Sequence, residues 1–182
     1  MLDLIIKNGQ CYIDGELKDV DVSVKGGKIQ GIGKIAGEAK EIIDAKGLTV
    51  LPGCIDTQTH FREPGSTDTE DLHSGSRAAI TGGITAVFEM PNTNPPTSTK
   101  KEFQKKLDLA KNRMYCNYAF YFGATADNAN ELADLKNLEG GCGIKLFEGY
   151  STGSLRVAEE NDIETVVKNS SKAVAVNSDE EK

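Results

Sequence analysis

Imidazole is scarce in this chain: 182 residues contain only two histidines, His60 and His73. That is too little to build a metal centre from histidine alone. Cysteine does not make up the deficit. Cys11, Cys54, Cys116 and Cys142 are widely spaced and form no CxxC pair. Three of them lie in or beside apolar segments, where cysteine behaves as a small hydrophobe rather than as part of a zinc or disulfide set. Positive charge is short as well, with 21 Lys and Arg against 28 Asp and Glu, a net charge of -7. This argues against nucleic acid or an anionic membrane surface as the partner. No apolar run approaches the roughly 18 to 20 residues of a membrane span. The opening residues Met1-Leu2-Asp3-Leu4 carry no basic stretch and no cleavage signal, so the expected location is cytoplasmic.

What is present reads as ordinary globular protein, 38% hydrophobic and 27% charged. The length suits one good-sized domain, or a small domain plus part of a larger one. Residues 1–50 read as short strands with tight turns at Asn8-Gly9, Asp14-Gly15 and Gly26-Gly27. Val20, Val22 and Val24 alternate with polar residues, which puts one face of the strand inside. The expectation is a small amino-terminal antiparallel β-sandwich layer.

From residue 51 to 182 the rhythm changes to short apolar strands alternating with helices. The strands begin at Ile55, Ile84, Tyr115, Gly143 and Ala173. Thr67 with Glu70, and Thr99 with Glu102, have capping-box spacing and predict two helix starts. Leu132, Leu135 and Leu138 predict a further helix, and Ile163, Val166 and Val167 a short one. Five β/α repeats imply parallel strands with right-handed crossovers, either in an open doubly wound sheet or in a (β/α) barrel. No glycine-rich phosphate fingerprint follows the first strand. Polar residues instead gather at strand carboxyl ends: His60 and Arg62, Asn92, Lys145, then Asn177 and Asp179. In a barrel those ends converge on one face. The fold class expected is thus α/β, with about the first five units of a (β/α) barrel. Roughly 130 residues follow the β layer, where a full barrel takes roughly 250.

Three places in this half can carry chemistry. His60 can bind a metal at a strand end, with Gln58 two residues earlier on the same strand face; the plain alternative is a histidine bonded within the core. Arg62, in Arg62-Glu63-Pro64-Gly65, has the fork that grips a carboxylate, with a Pro-Gly turn to hold it. Asn92 can bond a ligand through its amide or can serve as a turn residue. Lys145, flanked by apolar residues, either snorkels out of its strand or is buried and made nucleophilic. A buried Lys145 can take up carbon dioxide to give a carbamate, an anionic oxygen ligand.

The runs DTQTHFREPG, FEMPNTNPP and GIKLFEGYSTGS, in this order and spacing, resemble the dihydroorotases of the cyclic amidohydrolase superfamily. The resemblance covers the whole chain. It implies an amidohydrolase-type barrel binding one or two zinc ions, and metal-assisted hydrolysis or closure of the dihydroorotate ring in pyrimidine synthesis, with N-carbamoyl-aspartate as the open form. It also implies that His60 is a first-strand metal ligand, that Lys145 is the carboxylated bridging lysine, and that Arg62 and Asn92 hold the substrate carboxylate. Gln58 stands where the family has the first histidine of His-x-His, and Asn177 where it has the fifth-strand histidine. Some bacterial sequences that resemble the family carry glutamine at the first position; asparagine can offer a carbonyl oxygen but is a weak zinc ligand beside imidazole. The family's catalytic aspartate lies on a strand beyond those present. Two other readings follow from these departures: a non-catalytic scaffold subunit partnering aspartate carbamoyltransferase, and another cyclic amidohydrolase such as a dihydropyrimidinase or hydantoinase. Open barrel edges imply a homo-oligomer or a partner subunit.

Overall fold

The computed structural model describes residues 1–149 and 154–178. The chain divides into two compact units, Met1–Pro52 and Gly53–Lys182.

The first unit holds seven strands: β1 (Leu2–Lys7), β2 (Gln10–Ile13), β3 (Glu16–Asp19), β4 (Asp21–Lys25), β5 (Lys28–Gly33), β6 (Ala39–Asp44) and β7 (Thr49–Val50). They form a four-stranded sheet in the order β5-β4-β1-β6 and a three-stranded sheet in the order β3-β2-β7. The turn residues act as their chemistry requires. Asp14 and Gly15 both take positive φ between β2 and β3, and Gly26 and Gly27 do so between β4 and β5. Both hairpins are antiparallel. Two pairings depart from the purely antiparallel expectation. β6 runs parallel to β1, and β7 parallel to β2, because each arrives from a longer connection rather than from a tight turn.

The second unit is a parallel five-stranded sheet that curls as half a barrel. Its strands are β8 (Cys54–Thr59), β9 (Ile84–Glu89), β10 (Asn117–Gly123), β11 (Gly141–Phe147) and β12 (Val174–Asn177), adjacent in chain order. Helix α1 (Leu72–Thr81), helix α2 (Lys100–Ala110), a 3-10 helix (Ala129–Leu135) and helix α3 (Glu160–Asn169) make the crossovers. The core lies between sheet and helices, where Leu72, Phe103, Phe120, Leu132, Ile144 and Val166 are buried together.

Two local expectations are corrected. Helix α1 starts at Leu72, not at a Thr67 cap. Asp71 Oδ1 accepts from the Ser74 N–H at 2.6 Å, and the Asp71 N–H donates to Ser74 Oγ at 3.1 Å. Thr69 and Glu70 instead close a turn onto the Ser66 carbonyl. The Leu132 segment is a short 3-10 helix, Ala129–Leu135, which carries Leu132 and Leu135 but ends before Leu138. The Thr99 cap stands: its side chain accepts from the Glu102 N–H at 3.1 Å. Among the described residues no helix is long and apolar enough to cross a membrane.

Candidate functional site

The parallel register of β8 and β9 pairs Thr59 with Glu89, and the Met90 N–H donates to the Thr59 carbonyl at 2.9 Å. The two strands therefore end level, and the residues just past them emerge side by side. His60 and Asn92 meet there, with His60 Nδ1 2.8 Å from Asn92 Oδ1. A carboxamide oxygen only accepts, so the ring nitrogen facing it carries the proton. That fixes the tautomer and leaves Nε2 as the nitrogen with a lone pair. His60 is half-buried, and its pKa is lowered. Burial is the main cause; the Asn92 bond opposes it, and the positive charges of Arg62, Lys145 and Lys106 reinforce it. The imidazole is thus held neutral amid cations.

The loop after His60 is pinned at both ends. Glu63 is buried, accepting from both terminal nitrogens of Arg113 at 2.8 and 3.1 Å and from the Leu72 N–H at 2.9 Å. Arg62 takes φ +60. Gly65 takes φ +119, and a Cβ there would lie 2.9 Å from the Asn94 carbonyl oxygen, so only glycine fits. The Asn94 N–H closes the contact by donating to the Pro64 carbonyl at 3.0 Å. Between the two loops lies a cavity of about 380 Å³, with Arg62, Ser66, Asn92 and Thr93 in its wall. Arg62 and Asn92 are thereby brought to one cavity.

Lys145 lies in β11, 3% exposed, with Nζ 5.1 Å from the Phe147 ring centroid. It is a buried lysine, not one that snorkels to solvent, and its charge reaches His60. The β8–β9 register shifts between Asp56 and Thr59, so Gln58 lies at an irregularity just before His60. Gln58 is exposed, and its N–H is turned onto Asp56 Oδ1. Asn177 ends β12 opposite Phe147, and its carbonyl accepts from the Glu148 N–H at 3.0 Å. Asp179 and Glu180, and the Tyr150-Ser151-Thr152-Gly153 part of the third run, lie outside the described residues. His73 sits on α1, 3.2 Å from the Tyr115 hydroxyl.

One buried pair escaped the sequence reading. Glu89 closes β9 and Lys106 lies on α2; their side chains are 1% and 0% exposed and form an ion pair. Burial pushes the Glu89 carboxyl up to about 7 against the pull of Lys106, and pushes the Lys106 ammonium down. The signal was present in the helix period. Residue 106 falls on the face that Phe103 and Ala110 bury, where a lysine needs a partner.

Among the described residues no three His, Cys, Asp or Glu side chains group so as to hold a metal ion. One imidazole nitrogen, one buried lysine and carboxamides fall short of the nitrogen, thiolate and carboxylate set zinc takes. These residues alone do not fit a zinc centre.

A model of the amidohydrolase family matches residues 49–176. An allantoinase of Escherichia coli strain SMS-3-5 is 44% identical over 146 residues, covering 80% of this chain and 32% of that protein. The L-hydantoinase (dihydropyrimidinase) of Arthrobacter aurescens superimposes with a TM-score of 0.85 at 27% identity, covering 97% of this chain and 40% of that one. The dihydropyrimidinase of Brevibacillus agri gives a TM-score of 0.79 at 28% identity over 97% of this chain and 40% of that one. The chain spans about a third of the length of the curated relatives it matches. With the family model covering most of its length and the half-barrel matching at this level, the chain belongs to the amidohydrolase family.

Proposed function

We propose that this chain carries one part of a site that hydrolyses the ring amide of a small cyclic ureide or imide. The observation that carries this is Asn92, which both pairs with His60 Nδ1 and lines the same cavity as Arg62. A neutral imidazole protonated at Nδ1, with the lone pair on Nε2, is a form that binds a metal. His60 is proposed as the first ligand and a carboxylated Lys145 as the second, with Gln58 and Asn177 as weak oxygen donors. Arg62 and Asn92 are proposed to hold the substrate. Zinc, one or two ions, is the metal proposed for the completed site. The described donors do not close such a site, so this chain alone is expected to bind zinc weakly and turn over little.

The relatives' names support a hydantoin-like or allantoin-like ring. Arg62 favours a second substrate reading, dihydroorotate, because a guanidinium pairs with the ring carboxylate that a bare hydantoin lacks. The incomplete donor set also favours the scaffold reading, in which the chain partners a transcarbamoylase. The edge strands β8 and β12 each have one hydrogen-bonded neighbour and expose Ile55 and Val176, which supports self-association or a covering subunit. Ring opening of hydantoin, allantoin and dihydroorotate by the purified chain, with and without zinc, tests the proposal. Turnover lost on chelation establishes a working hydrolase. Zinc-independent inactivity together with co-purification of a transcarbamoylase sinks it in favour of the scaffold.

A further inference from the structure

The two arms that meet at His60 and Asn92 share a support beneath them. Lys106 Nζ donates to the Met90 carbonyl at 2.9 Å, two residues before Asn92. The same ammonium pairs with Glu89 Oε2, without a well-aligned hydrogen bond to that oxygen. On the other side Glu89 itself stands opposite Thr59 in the β8–β9 register, one residue before His60. The Lys106 ammonium also lies 5.1 Å from the Phe120 ring centroid. The pair thus bonds the backbone of the Asn92 arm directly and stands level with the strand end from which the His60 arm leaves. We propose that Glu89 and Lys106 are positioning residues whose buried ion pair sets the distance between the His60 and Asn92 arms, and so the tautomer of His60.

Stability alone does not account for such a pair. Two fully buried ions commonly hold a core no better than apolar residues of similar volume, and sometimes less well. A leucine and a methionine in their place could fill the space, but neither could donate to the Met90 carbonyl. What the charged pair adds is a polar tie from the end of β9 and from α2 to the backbone that leads to Asn92. The register of β8 and β9 already brings Thr59 level with Glu89; the pair extends that alignment past the strand ends, where the sheet ladder stops. The functional weight of this inference rests on the hydrolase reading, but its structural content does not.

The test uses nitrogen-15 NMR of the metal-free chain, which has only two imidazoles to assign. The shifts of Nδ1 and Nε2 report directly which nitrogen carries the proton. In the unaltered protein His60 is expected as a single Nδ1–H form. Asn92→Ala, which removes the acceptor, is the positive control and must convert it to a mixture. Lys106→Met and Glu89→Gln are expected to give the same loss of the single tautomer while His73 is unchanged. If either single variant unfolds, the neutral double variant Glu89→Gln/Lys106→Met removes both charges together and carries the measurement. A His60 that keeps its single Nδ1–H form in all folded variants, with only thermal stability changed, overturns the proposal. Because no metal or substrate is present, failure of the hydrolase reading cannot mimic that result.

Discussion

Glu63 and Arg113, fifty residues apart in sequence, form a two-pronged ion pair at 2.8 and 3.1 Å that ties the loop after His60 to the end of α2. The carboxylate also accepts from the first N–H of α1. Its side chain is 9% exposed, whereas that of Arg113 is 35% exposed. The partners are therefore unequal. Removing the arginine leaves a nearly buried carboxylate, while removing the carboxylate leaves an arginine that water can reach. Arg113→Met is expected to cost about 2 kcal/mol, from charge-assisted bonds worth roughly 1.5–3 kcal/mol each with partial solvent compensation. Glu63→Gln is expected to cost less. Urea midpoints of the two variants decide the order, and equal losses would contradict it.

Gly75 of α1 packs directly on Phe61, and an added Cβ would come within 2.4 Å of the ring. Phe61 is buried and follows His60 in the chain. Gly75→Ala gains about 1 kcal/mol of helix propensity but overpacks a core contact at a cost of about 1–3 kcal/mol. A net loss of about 1 kcal/mol is expected, seen as a lowered thermal midpoint. A stabilised variant would mean that Phe61 moves aside freely.

The lowered pKa of His60 sets a pH dependence. The unfolded histidine takes up its proton as pH falls through about 6.5, but the folded one, kept neutral by burial, does so only at lower pH. Across that window the unfolded state binds more protons, so stability rises with pH. The chain should lose stability as pH drops below about 6.5 toward the folded pKa. His60→Gln should flatten that part of the curve. An NMR titration in a His73→Gln background, with chelator present, reads the midpoint directly, and a value above 6.5 would reverse the sign.

Arg62 distinguishes the two substrate readings. Under the dihydroorotate reading, Arg62→Met removes a charge-assisted contact and should weaken dihydroorotate binding about tenfold, the equivalent of roughly 1.4 kcal/mol. Binding of hydantoin, which has no carboxylate, should stay the same. Calorimetry on the intact chain separates the cases. A parallel loss for both ligands would assign Arg62 to holding its loop.

Much of this was legible in the residues. Asp14-Gly15 and Gly26-Gly27 announced hairpins, because positive φ is a local demand. The apolar runs at Ile84, Tyr118 and Ile144 announced buried strands, and the Thr99 cap announced α2. The cap of α1 was misread because Thr67 with Glu70 and Asp71 with Ser74 both have the required chemistry, and only Glu63, reaching the Leu72 N–H from outside the helix, favours the second. The register shift between Asp56 and Thr59, where Gln58 sits, was not legible, because no local residue signals it.

By itself the sequence determined the family, the β/α order, and which side chains stand at strand ends, since these follow from periodicity, turn chemistry and motifs read along the chain. The tertiary structure alone decided that His60 faces Asn92, that Glu63 meets Arg113, and that Glu89 meets Lys106. Each of these pairs joins residues 17 to 50 positions apart, so it depends on strand register and crossover packing that no local pattern encodes. In this chain the chemistry of the site lies in such pairs.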